Sequence, residues 1–152
     1  MNGNLLKKMK IKEGMVGRIL NTPPEFEELE EYLQENGYIA SGNEADFTLC
    51  FVTNEDALLS SIPYIYELNF DGLLWMIFPK KSSKIQSSIS REVGWEPLHE
   101  IGYKEIAIAS VDENWAALRF RSTSLIKSSK RRLKLLYKIA NHRPDRLDPN
   151  IL

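Results

Sequence analysis

The residues best placed to do chemistry are Lys80, Lys81, Ser82 and Ser83, which follow an apolar run ending at Pro79. A helix N-terminus offers free N–H groups and a positive dipole end. Two lysines and two hydroxyls at such a point could hold a phosphate, sulfate or carboxylate. This is not a P-loop, because no Gly-x-x-x-x-Gly-Lys precedes it. The competing reading is a serine cap with solvated lysines. Asn21-Thr22 and Thr53-Asn54 close two other apolar runs and could contact the same ligand. Against that, a short polar residue before Pro23-Pro24 makes a turn, and Thr53 or Asn54 caps a helix. Asp112 and Glu113 form a carboxylate pair in a loop, where adjacent acids are ordinarily solvated. Trp115 and Arg119 share a strand face by period two, which allows stacking, a buried ion pair or ordinary packing.

Other chemistries have less support. His99 and His142 are far apart, and no Cys/His or His/Glu spacing suggests zinc. There is no Gly-x-Ser-x-Gly elbow and no local Cys–His pair for a covalent mechanism. Cys50 is the sole cysteine, so no intrachain disulfide forms. Its place in an apolar run marks it as an inert core residue.

The elements that must position these groups alternate in kind. Lys7 to Glu13 reads as a basic lead-in, compatible with a short helix, that ends at Gly14. A first strand covers about 16–21. Pro23 and Pro24 open a helix with an acidic first turn (Glu25, Glu27, Glu28), with Phe26, Leu29 and Leu33 at helical spacing and Gly37 at its end. Asp46 to Thr53 reads as a strand covered on both faces. A helix then runs to about Glu67 despite Pro63, and Asp71-Gly72 turns the chain into the strand Leu73–Phe78. A third helix is expected over about 83–93, closed by Gly94. Tyr103 to Ser110 and Trp115 to Arg121 fit a hairpin around Val111–Asn114. Strands alternating with helices give an α/β, three-layer, mostly parallel sheet with right-handed crossovers. In such Rossmann-like sheets ligands collect beyond the carboxyl ends of the strands, so the polar residues above converge on one rim. The first strand, however, ends in Thr22-Pro23-Pro24-Glu25-Phe26, which has no glycine. That departs from the glycine-rich turn of a nucleotide-binding protein.

Two resemblances follow from these segments. The hairpin after the alternating run resembles the C-terminal portion of a class I methyltransferase, which implies the strand order 1-2-3-5-4 with the last strand antiparallel. The Asn21-Thr22-Pro23-Pro24 strand end, Phe51-Val52-Thr53, the Trp75-to-Ser83 segment and Trp115 to Phe120 together resemble a small bacterial family known as domain of unknown function 3052. That resemblance covers about residues 5–121 and implies an α/β fold with no established activity. Methyl transfer suffers from the missing glycine turn and from the lack of an acidic ribose ligand at the end of a second strand.

Beyond the hairpin, Lys127, Lys130, Arg131, Lys134 and Lys138 share one face of a predicted helix near 125–141, with Leu133, Leu136, Tyr137 and Ala140 opposite. Residues 121–152 carry nine Lys/Arg and two Asp/Glu, a charge of +7, against −8 for the remainder. Basic amphipathic helices bind membranes, nucleic acid or acidic partners. An acidic body makes docking of this helix on its own domain the preferred alternative. The chain of 152 residues is 43% hydrophobic and 27% charged, as a globular protein is. It shows no signal-peptide pattern and no apolar run long enough to span a bilayer, and the expectation is a cytoplasmic protein. The expected organisation is a Rossmann-like domain over 1–121 and a basic helix and tail over 122–152. The sequence names no cofactor. The preferred function is that of a binding domain, non-catalytic or cryptically catalytic, which takes a small anionic ligand at the carboxyl rim. The alternatives are a divergent methyltransferase-like enzyme and an interaction module that binds nucleic acid or a protein through the basic helix.

Overall fold

Short runs of large apolar residues are stable only when both faces are covered, and two such runs form the centre of the sheet. The computed structural model describes residues 2–126; the predicted basic helix, with Lys127, Lys130, Arg131, Lys134 and Lys138, lies outside them. Five strands are present: β1 (Gly17–Leu20), β2 (Ala45–Phe51), β3 (Leu68–Pro79), β4 (Tyr103–Ser110) and β5 (Trp115–Ser122). Their order is β1-β2-β3-β5-β4. β1, β2 and β3 are parallel, and β5 runs antiparallel to both β3 and β4. This is the α/β arrangement and the strand order expected from the sequence.

Helices α1 (Asn2–Lys8) and α2 (Glu27–Glu35) lie on one face, where Leu6, Met9, Leu29 and Leu33 pack against Phe47, Leu49, Trp75 and Ile77. On the other face α3 (Glu55–Ile65) and α4 (Glu96–Glu100) bring Leu58, Ile65 and Leu98 onto Cys50, Leu74, Met76 and Phe120. Asn54 caps α3, its Oδ1 accepting from the Ala57 N–H at 2.8 Å, and Pro63 is accommodated inside the helix. Alternation along β2 and β3 thus sends neighbouring side chains into two separate cores.

One element was not legible in the sequence. Ile39 forms a parallel bridge to Gly17, with Gly17 N–H bonded to Tyr38 O and Ala40 N–H to Gly17 O. Gly17 also pairs with Phe47 of β2, so Ile39 lies on the outer side of β1. The chain therefore winds outward from β1 through α2 on one face, and the opposite way from β2 to β3 through α3 on the other. Opposite directions on opposite faces give both crossovers one hand, as the right-handed rule requires. The reversal of winding falls between β1 and β2, which makes their carboxyl ends the topological switch point of a doubly wound sheet.

The helix expected over 83–93 is absent; residues 80–95 form an irregular segment. Ile85 packs against the α1/α2-side core and Ile89 is buried in the α3/α4-side core. A helix would place residues four apart on one face, whereas these two anchor on opposite sides of the sheet. Serines also satisfy the backbone locally: Ser87 Oγ accepts from Ile89 N–H and donates to Ile89 O. The Asp71-Gly72 turn is likewise not a strand boundary but part of an excursion within β3.

Candidate functional site

The carboxyl rim is assembled as the topology requires, with β1, β2 and β3 ending at Leu20, Phe51 and Pro79. The β4–β5 hairpin loop emerges on the same side, since Pro79 pairs with Trp115 and Lys80 N–H bonds Asn114 O at 2.8 Å. Asn21, Thr22, Thr53, Asn54 and Lys80 to Ser83 consequently lie along one edge of the sheet. Adjacent strands are about 4.8 Å apart, so Asn21 and Lys80, two strands apart, are separated by roughly 10 Å of rim.

The rim is not open along its whole length. In place of a glycine turn, Pro24–Phe26 forms one 3-10 turn leading into α2. Phe26 leans across the sheet, its ring 4.8 Å from Phe51 and 5.8 Å from Trp115. The indole N–H of Trp115 donates to Glu25 Oε2 at 3.1 Å. A phosphate cradle needs bare backbone at this point, and here an aromatic cluster fills it on the α1/α2 side. On the α3/α4 side the 80–95 segment covers the rim through Ser88 N–H to Thr53 O at 2.9 Å and through buried Ile89 and Trp95.

Several predicted site residues have partners within the fold. Thr22 Oγ1 donates to Glu30 Oε2 at 3.2 Å. Asn54 is occupied as the α3 cap, and Glu55 and Asp56 in the first turn set negative charge against the helix end. Ser83 closes a turn, its Oγ donating to Lys80 O at 2.8 Å, and Lys80 Nζ donates to Ser110 Oγ at 2.7 Å. With no helix starting at Ser83, the dipole and free N–H groups expected beside the lysines are missing. The Ser83 hydroxyl is therefore turn-forming, and charge must come from the ammonium groups alone. Lys81 and Ser82 are exposed, and no side-chain bond of either is found among the described residues. Asn21 is exposed in a left-handed conformation (φ 59°), its Nδ2 3.7 Å from Cys50 Sγ.

The remaining sequence candidates are structural. Asp112 Oδ1 accepts from the backbone N–H groups of Asn114 and Trp115, both at 2.8 Å, and so shapes the hairpin turn. Arg119 shares Trp115's face and sits across from Trp75; burial lowers its guanidinium pKa, partly countered by Asp71. His99 Nε2 lies 2.6 Å from Glu105 and ties α4 to β4. Burial pushes the Cys50 thiol up to about 12, so it stays protonated at neutral pH and is no nucleophile. Among the described residues no three His, Cys, Asp or Glu side chains group for a metal, and no helix is long and apolar enough to cross a membrane.

No protein-family model and no curated protein matches the sequence. The resemblance to the bacterial family of unknown function thus gains no support beyond the segments that suggested it. Solved structures similar in fold include a SAM-dependent methyltransferase from Aquifex aeolicus, at 17% identity and TM-score 0.48, covering 79% of this chain and 88% of that one. The mitomycin 7-O-methyltransferase MmcR aligns at 15% identity and TM-score 0.48, over 80% of this chain but 46% of its own length. The PH0226 protein from Pyrococcus horikoshii OT3 aligns at 11% identity and TM-score 0.43, over 79% and 76% of the two chains. This is a likeness of overall fold, and it assigns no chemistry to individual residues.

Proposed function

We propose that the chain is an α/β binding domain that takes a small anionic ligand along its carboxyl rim and does no catalysis. The observation that carries this reading is the doubly wound switch point between β1 and β2, with Lys80 and Lys81 one strand away. Lys80 and Lys81 supply the charge and Ser82 a hydroxyl beside them, while Asn21, Thr22, Thr53, Asn54 and Ser83 border the same edge, with Thr22, Asn54 and Ser83 already bonded within the fold. Phe26 and Trp115 fill the position a nucleotide's phosphates would need, which favours a compact anion over a dinucleotide. Cys50, the one thiol, is held protonated, and the two acids of the hairpin loop shape or border a turn.

The test is isothermal titration of the full chain with phosphate, sulfate and pyrophosphate, repeated on Lys80→Ala/Lys81→Ala. Binding should weaken on the order of tenfold in the double variant, the scale of lost charge-assisted hydrogen bonds, and should fall with added salt. Unchanged binding in the variant, or none in the parent, refutes the reading. Titration with S-adenosylmethionine in parallel separates the divergent methyltransferase reading, which requires that ligand to bind.

A further inference from the structure

The opposite, amino edge of the sheet carries a second feature that the rim chemistry does not use. Between the pairs Ala45–Leu68 and Phe47–Leu73, β2 advances two residues while β3 advances five. Residues 69–72 therefore leave the ladder, and such excursions re-aim side chains at sheet edges and beside binding sites. Two carboxylates hold the excursion in place. Asp46 accepts from Val16 N–H at 3.0 Å and from Asn69 Nδ2 at 2.8 Å. Asp71, at φ 55°, accepts two bonds from Arg121 at 2.9 and 2.7 Å, which raises the Arg121 pKa.

This fixed wall, α1 and the Lys10–Met15 turn border a half-open groove of about 690 Å³, within the roughly 300–1,000 Å³ usual for small-molecule sites. Leu6, Ile11, Met15, Tyr38 and Leu73 supply apolar lining. Phe70 beside them is 74% exposed, an unusual position for an aromatic ring with no covering partner among the described residues. The polar lining is Lys7, Lys10 and Lys12 together with Asp46, Asn69 and Asp71; the lysines are exposed, and no ion pair or side-chain hydrogen bond of theirs is found among the described residues. Asp71 is paired with Arg121, whereas Asp46 is bonded only to neutral donors, the Val16 N–H and the Asn69 amide. Three lysines against that one carboxylate without a cationic partner still leave a net positive mouth over an apolar interior.

We infer that the amino-edge groove binds an amphipathic monoanion, its apolar body against Leu6, Ile11, Met15 and Leu73 and its carboxylate among Lys7, Lys10 and Lys12. The site is independent of the carboxyl rim, which lies at the other end of the strands. Decanoate and 1-decanol are matched probes, since they share the apolar chain and differ in charge. Titration of the full chain should show decanoate binding at least about tenfold tighter than decanol, the scale of one charge-assisted contact. Decanoate should shift the Met15 methyl resonance. Lys7→Gln/Lys10→Gln/Lys12→Gln keeps the aliphatic stems and removes the charge. It should remove decanoate's advantage while leaving decanol binding and the thermal midpoint little changed. Lys80→Ala/Lys81→Ala should leave decanoate binding intact. Absence of decanoate binding, equal affinity for the two probes, or undiminished binding in the lysine variant would each overturn the inference. A response to Lys80→Ala/Lys81→Ala would instead place decanoate on the rim.

Discussion

Asn21 and Cys50 show how single residues at the switch point answer to the fold before any ligand. Asn21 ends β1 in the left-handed region, which costs most residues about 1–2 kcal/mol and costs asparagine less. Its amide then lies against the thiol of Cys50, which is fully buried. Burial raises that thiol well above its ordinary value, to about 12, with Asn21 and Ser61 opposing the shift. The folded state thus favours the protonated form. Stability from this group is fully present below the unfolded thiol's pKa, near 9, and is lost as pH rises through the window up to 12. Wild type should therefore lose stability relative to Cys50→Ala across that window, by a slope approaching about 1.4 kcal/mol per pH unit. Urea melts of the two proteins at pH 8, 9.5 and 11 measure it, and parallel curves would show that the thiol is not desolvated. That Cys50 is an inert core residue was legible from its apolar neighbours. Its contact with Asn21 was not, because pairing between β1 and β2 joins residues 29 apart.

At the scale of elements, legibility followed burial. Asp46–Thr53 and Leu73–Phe78 declared themselves as strands because both faces need apolar side chains. The α3 cap was readable from Asn54 and the acids after it. The segment 80–95 was misleading because Ile85 and Ile89 carry a helical spacing while the structure uses them on opposite sides of the sheet. Periodicity cannot distinguish these uses, since it records only separation along the chain. The parallel bridge at Ile39 was equally hidden, being a single residue deep. If Ile89 is what pins the irregular segment, Ile89→Ala should cost about 2–4 kcal/mol, the usual range for an aliphatic side chain truncated in a core. It should also speed tryptic cleavage after Lys84 and Arg91, which are already exposed, by loosening the backbone around them while β2 and β3 remain protected. Limited proteolysis with mass-spectrometric mapping reads this directly. Cleavage spread evenly along the chain would show that the residue supports the whole core rather than this segment.

For the whole molecule the governing quantity is charge, −8 over residues 1–120 and +7 over residues 121–152. The described part of the chain continues past the expected boundary at Arg121: Ser122 pairs with Tyr103, and Thr123 N–H bonds Gly102 O at 2.8 Å. A cut after Ile126 preserves these contacts and gives a cleaner comparison than a cut after Arg121. We propose that the basic segment associates with the acidic body of its own chain. The α2 surface is a ready counterpart, with Glu27, Glu28, Glu31 and Glu35 exposed. Attraction between exposed charges is screened over about 8–10 Å at physiological salt. Truncation after Ile126 should therefore lower the thermal midpoint at 20 mM salt, and the difference should shrink as salt is raised to 0.5 M. A protein that binds nucleic acid through this segment behaves otherwise. Its truncation would abolish salt-sensitive retention on DNA or RNA, with a slope set by the phosphates contacted, and would leave the midpoint of the free domain unchanged at every salt concentration. One outcome moves the midpoint and the other moves only nucleic-acid retention, so one pair of proteins and two salt series decide between them.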